Sequence, residues 1–150
     1  MSSIEVEVST SGLDFEAVAD ILDSETKQLL VERLAEVAYH EAFYGAPWKT
    51  GKLARSLVME VDEKGEARIR ALALYAKFVV EGTRPHKIYP VNASCLVFKS
   101  AAGGLVFTRM VRHPGTKPNP FLTRALDKAR EKIDDIWAEL FEDLVEEATS

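Results

Sequence analysis

The sequence predicts an α+β domain: a mainly antiparallel sheet of about four to five strands, with N-terminal helices and a long C-terminal helix packed on it. Three observations predict it. Residues 57–71 hold two runs of alternating apolar and polar residues around Glu63-Lys64-Gly65. Leu30, Leu34, Val37, Ala38 and Ala42 recur at helical spacing before that hairpin, and Leu122, Leu126, Ala129, Ile133, Trp137, Leu140 and Leu144 recur at helical spacing after it. Between the hairpin and the last helix, five of the six prolines fall between 85 and 120, which marks irregular backbone around short strands.

Taken in order, Ile4, Val6 and Val8 alternate with Glu5, Glu7 and Ser9 as in a short strand with one wet face. Asp14 is placed to cap a helix over Phe15–Leu22, and Ser24 to cap a second helix that stops near Tyr44-Gly45-Ala46-Pro47. In the hairpin, glycine at the left-handed position of a three-residue loop sets Glu60 opposite Arg68 on the wet face and Met59 opposite Ile69 on the core face. Tyr75–Glu81 fits a helix or a strand, with Gly82 as a helix-ending glycine. Pro85 and Pro90 bracket a loop or edge strand; Cys95–Lys99 and Leu105–Arg112 form two more strands around the tip Ser100-Ala101-Ala102-Gly103-Gly104. Asn119 as N-cap and Pro120 in the first turn start a helix that, over 120–146, would be roughly 40 Å long. That exceeds what a core of this size covers, so its distal part is expected to protrude or to meet another subunit.

At 150 residues, 47% hydrophobic and 29% charged, with net charge −5, the chain has ordinary globular composition, which excludes disorder, a collagenous fibre and a disulfide scaffold. No linker divides it, so one domain over 1–150 is expected, with a body of about 14–133 and an acidic helix end of 134–150. The charge is segregated. Residues 1–43 carry 2 Lys/Arg against 10 Asp/Glu, residues 44–124 carry 14 against 5, and residues 125–150 carry 3 against 9. Seven acids and no base follow Ile133, at the helix end where the dipole disfavours them. Cys95, within Cys95-Leu96-Val97-Phe98, reads as a small hydrophobe, and neither a signal peptide nor a membrane span is expected.

Catalytic and metal patterns are not found. His40, His86 and His113 are 46 and 27 positions apart, with no ligand at metal spacing, and there is no phosphate loop or nucleophile elbow. Glu60, Asp62 and Glu66 resemble a metal-dependent nuclease cluster, but the hairpin register sets them among bases, as a salt-bridged strand surface. Neither catalytic, metal nor cofactor-binding residues are assigned. The basic segment 44–124 offers an alternative function, a nucleic-acid-binding or regulatory module. A basic surface meeting an acidic surface of another subunit accounts for the same residues, through Trp48, Lys49, Lys52, Arg55, Arg84, His86, Lys87 and Lys117 as candidate interface residues.

Three stretches resemble one family. Ala46-Pro47-Trp48-Lys49-Thr50-Gly51-Lys52-Leu53-Ala54-Arg55-Ser56-Leu57 resembles a Pro-x-x-Thr-Gly-x-Leu-x-x-Ser signature; Tyr75-Ala76-Lys77-Phe78-Val79-Val80-Glu81-Gly82-Thr83 resembles a Tyr-Ala-x-x-Val-x-x-Gly-Thr segment; and His113-Pro114-Gly115-Thr116-Lys117-Pro118-Asn119-Pro120-Phe121-Leu122, with Arg124-Ala125-Leu126, resembles a closing turn and Pro-Phe helix start. In this order they are similar to the small tail-component proteins of long-tailed bacteriophages, the HK-type gene-ten-product family of head-tail joining or neck proteins. Two positions depart from the pattern: Lys49 stands where the family often has Asp, and Val80 where it often has Glu, so an ion pair through those acids is lost or rearranged here.

The resemblance implies a phage or prophage structural protein without cofactor, a neck or tail-completion component of the virion, assembled in the host cytoplasm as an oligomeric ring. Its implied partners are itself and neighbouring connector or tail proteins, with DNA only as passing cargo and no membrane. Loops around 84–94 and 100–104 are expected to contact adjoining rings, and the acidic last helix to face a neighbour or line a channel. The motif residues make physical sense as scaffolding: Thr50 as a cap, with Gly51, for a turn carrying Leu53; Tyr75, Gly82 and Thr83 at a helix end; Pro114 and Gly115 in a type II turn; Pro120 and Phe121 at a helix start.

Overall fold

A computed structural model describes residues 24–149; the expected strand at residues 4–8, the helix at 15–22 and its Asp14 cap lie outside the described residues. The class is α+β. Five helices, α1 (Ser24–Gly45), α2 (Lys52–Arg55), α3 (Ala76–Val80), α4 (Phe121–Glu131) and α5 (Ile133–Thr149), accompany six strands, β1 (Leu57–Val61), β2 (Ala67–Ala71), β3 (His86–Ile88), β4 (Leu96–Lys99), β5 (Leu105–Thr108) and β6 (Val111–His113). Instead of one sheet of four to five strands, the described strands form three separate antiparallel pairs, β1–β2, β3–β6 and β4–β5. The chain divides into two compact units, one holding the described residues up to Lys77 and those from Pro120 onward, the other being Phe78–Asn119. The sequence carries no linker composition at either crossing point.

The first unit is built around α1. Its apolar residues cover more than one stripe: Leu30 and Leu34 pack with Ile136 and Leu140 of α5, while Val31 and Ala35 pack with Ala67 of β2. Farther along, Ala38 and Ala42 are buried as well. Small side chains let α1 approach α4 closely, and α4 buries Phe121, Leu122, Ala125 and Ala129. The β1–β2 hairpin has the expected register, Met59 opposite Ile69 and Glu60 opposite Arg68, with Ile69 buried and Gly65 at φ 76° in the loop.

Three boundaries differ from expectation, each for a local reason. The last helix is two, because Lys132 (φ −95°, ψ 7°) donates its N–H to Ala129 O at 3.2 Å in a tighter i→i−3 step before the ladder resumes. The strand expected over Leu105–Arg112 is also two: Thr108 Oγ1 donates to Met110 O (2.9 Å) and accepts from Met110 N–H (3.3 Å), taking both backbone groups of Met110 out of the ladder. The caps expected at Asn119 and Thr50 are not made there. Pro120 occupies the N-cap of α4 with no side-chain cap bond, and Asn119 N–H donates to Val79 O instead. At α2 the N-cap is Gly51 rather than Thr50.

Several acidic side chains of the first unit are paired. Glu41 accepts from Lys128 Nζ at 2.7 Å and Lys132 Nζ at 3.1 Å. These bonds, Lys128's foremost, hold its carboxyl below the ordinary carboxylate range. Arg70 ion-pairs with Glu60, and Arg68 pairs with Glu66 at 3.1 Å. Asp62 turns the hairpin, accepting from the Glu66 and Lys64 N–H groups at 2.9 Å each, and the Glu66 bond foremost keeps its carboxyl low. The Glu60, Asp62 and Glu66 carboxylates are thus a salt-bridged and turn-capping surface.

Candidate interaction surface

The second unit is organised by a clasp between two of the sequence motifs. Thr83 and Thr116 form an isolated antiparallel bridge, with Thr83 N–H donating to Thr116 O (3.0 Å) and Thr116 N–H to Thr83 O (3.1 Å). Their hydroxyls lie 2.7 Å apart, and Thr116 N–H also reaches Thr83 Oγ1 at 3.0 Å. Glycine on each side makes this approach possible. Gly82 (φ 73°) follows α3, and a Cβ there would lie 2.5 Å from Thr116 O; Gly115 (φ 86°) follows Pro114 with the left-handed φ of a type II turn, and a Cβ there would lie 2.2 Å from Thr83 O. The Gly-Thr and Pro-Gly-Thr motifs are therefore two halves of one structural feature.

Beyond the clasp runs the β3–β6 ribbon, with His86 opposite His113, Lys87 opposite Arg112 and Ile88 opposite Val111. The imidazoles lie against each other at a tilt, with centroids 5.0 Å apart and planes 31° apart. His86 Nδ1 lies 2.9 Å from Arg84 O, an acceptor only, so this nitrogen carries the proton. At His113 the assignment is opposite: Gly115 N–H donates to Nδ1 at 3.1 Å, leaving the proton of the neutral ring on Nε2. Both rings are thus fixed by backbone groups beside the clasp. A groove of about 730 Å³ runs over Phe78, Glu81, Arg84, His86 and His113, and a hollow of about 330 Å³ is lined by Pro85, His86, Lys87, Arg112 and His113.

The expected interface residues fall into two groups. Arg84, His86 and Lys87 are gathered on the ribbon, joined by Arg112 and His113, and Lys117 follows the clasp; all four expected members are exposed. Trp48, Lys49, Lys52 and Arg55 belong to the first unit and are exposed too. There Trp48 packs edge-on against Phe43 (6.1 Å), over the bare Cα of Gly51, where a Cβ would lie 2.9 Å from the ring. Tyr44 and His40 continue this aromatic surface. The run Tyr39, His40, Phe43, Tyr44 at one- and four-residue spacing carries that signal in the sequence, hidden because Tyr and Phe at helical spacing ordinarily mark a core. Among the motif residues, Leu53 and Phe121 are buried, while Tyr75 is exposed.

No group of three or more His, Cys, Asp or Glu is placed to hold a metal ion among the described residues. Cys95 is free and half-buried. Among the described helices none is long and apolar enough to cross a membrane. No protein-family model, curated protein or solved structure matches the chain.

Proposed function

We propose that the chain is a structural, non-catalytic protein of the virion of a long-tailed phage or prophage, a head-tail joining or tail-completion subunit that works by assembling with copies of itself and with neighbouring connector or tail proteins. The observation that carries the proposal is that the second unit has no core of its own. Not one of residues 78–119 is buried. The β4–β5 hairpin pairs Val97 with Phe107 and Phe98 with Val106, apolar on both faces, a pattern proper to strands covered on both sides. Yet Val97 is 53% and Phe107 65% exposed. Two-stranded ribbons are marginal alone in water, and apolar side chains in this number mark surface that other chains cover.

The order and spacing of the three motifs support the same assignment, as does a charge distribution that gives one chain two complementary surfaces. In this reading the subunits close a ring in the host cytoplasm, DNA passes as cargo, and no cofactor is required. The test is composition of particles: purified virions from a host carrying this gene are analysed by mass spectrometry and negative-stain microscopy, with and without the gene. The proposal expects the chain in stoichiometric amount in the particle, and unjoined heads and tails when the gene is deleted. Particles that lack the chain and remain complete without it would refute it. The basic segment keeps the nucleic-acid module as the second reading, favoured by the like charges Lys87 and Arg112 set directly opposite on one ribbon; steep salt-dependent binding of nonspecific duplex DNA is its signature.

A further inference from the structure

From the basic face of the β3–β6 ribbon we infer a docking site for helix α5 of a second copy of this chain, making a head-to-tail contact; the inference rests on the assembly reading above and names the surfaces it uses. Among the described strands the ribbon pairs with no third strand. Lys87 and Arg112 stand directly opposite each other, an arrangement that destabilises an isolated strand pair and is relieved by an anionic partner. By strand alternation Pro85 and Tyr89 share the face of Lys87 and Arg112, while Arg84 and Arg109, each three residues away, belong to the other face. The whole second unit has six Lys/Arg and a single acid, Glu81.

Helix α5 offers the complement. Asp135, Glu139, Glu142 and Glu146, at i, i+4, i+7 and i+11, follow one face of the helix over roughly 16 Å. Val145, 46% exposed, flanks that stripe, and Phe141, 56% exposed, lies farther round the helix, one turn on from Trp137, which packs against the cluster of Leu140. The ribbon supplies apolar counterparts: Pro85 lines the hollow with Lys87 and Arg112, and Tyr89 is exposed just past β3. Cations with apolar neighbours on one surface meet carboxylates with apolar neighbours on the other. A nucleic acid would answer the cations alone, and it would approach a chain of net charge −5 whose last helix carries seven acids and no base. Donor and acceptor are different surfaces, so the contact propagates and closes only as a ring or continues as a filament.

The geometry is tested by blocking each surface separately in the full-length protein. Lys87→Glu/Arg112→Glu removes the acceptor, Glu142→Lys/Glu146→Lys removes the donor, and all four positions are exposed; circular dichroism verifies folding. Sedimentation velocity is then run on wild type, on each variant and on an equimolar mixture. The inference expects concentration-dependent association of wild type, weakened more than about a hundredfold in each variant alone because like charges now face each other, and regained in the mixture, where the intact ribbon meets the intact helix and the acidic ribbon meets the basic helix. Wild-type-like association of the Lys87→Glu/Arg112→Glu variant would overturn this contact and leave the assembly reading standing; a wild type that stays monomeric throughout would remove both. A mixture that stays monomeric while wild type associates also overturns it. Loss of salt-steep duplex DNA binding in Lys87→Glu/Arg112→Glu, with association unchanged, would reassign the ribbon to nucleic acid.

Discussion

Two glycines and one glutamate bear disproportionate structural weight. Gly82 and Gly115 permit the Thr83–Thr116 clasp, because each faces the opposing backbone at a distance no Cβ tolerates. Gly115→Ala is expected to destabilise the second unit by roughly 2–5 kcal/mol, combining left-handed strain with overpacking. Gly65→Ala is the control: it has the same sign of φ but open space around it, and is expected to cost about 1 kcal/mol. Amide hydrogen exchange at Thr83 and Thr116 checks this, and unchanged protection in Gly115→Ala would contradict the clasp. Glu41 gives a pH dependence. Its carboxyl titrates lower in the folded chain than in the unfolded one, so its contribution is present above the ordinary carboxylate pKa and is lost as pH falls through the depressed folded value. Glu41→Gln is expected to lower stability at pH 7 by roughly 0.5–1 kcal/mol and to flatten the acid limb of a denaturation curve, since its two lysine partners are half-exposed.

At the scale of elements, α5 buries one of two adjacent apolar residues and exposes the other. Leu140 is 4% exposed in the cluster with Leu30, Leu34 and Ile136; Leu140→Ala is expected to cost about 2–5 kcal/mol by denaturant unfolding. Phe141→Ser, at the exposed residue next to it, is expected to change unfolding by less than about 0.5 kcal/mol and to weaken association instead. The elements legible in the sequence were those whose pattern and turn chemistry agree, above all the β1–β2 hairpin, whose alternation, loop glycine and cross-strand charges all specify one register. What escaped was decided by single backbone or hydroxyl bonds. Nothing in an apolar stripe announces the i→i−3 step at Lys132, and nothing in Leu105–Arg112 announces that Thr108 takes up the Met110 backbone. The expected interface residues remain a proposal; their division between Trp48, Lys49, Lys52 and Arg55 in one unit and Arg84, His86, Lys87 and Lys117 in the other was not legible, because it depends on long-range pairing of β3 with β6.

For the whole molecule, one sequence builds a conventionally packed unit and a second unit without buried side chains, with opposite charge concentrated on α5 and on the ribbon. The proposed assembly would cover the exposed apolar side chains of that second unit. Salt should therefore act on assembly more than on folding: association through the ribbon weakens as ionic strength rises past the point where the Debye length falls to about 8 Å, while the unfolding of the first unit changes little. The most direct measurement is particle mass by multi-angle light scattering, at rising protein concentration and at low and high salt. The account predicts a mass that climbs above the 16.7 kDa of one chain with concentration and falls back toward it with salt. A mass fixed at one chain under every condition would contradict it.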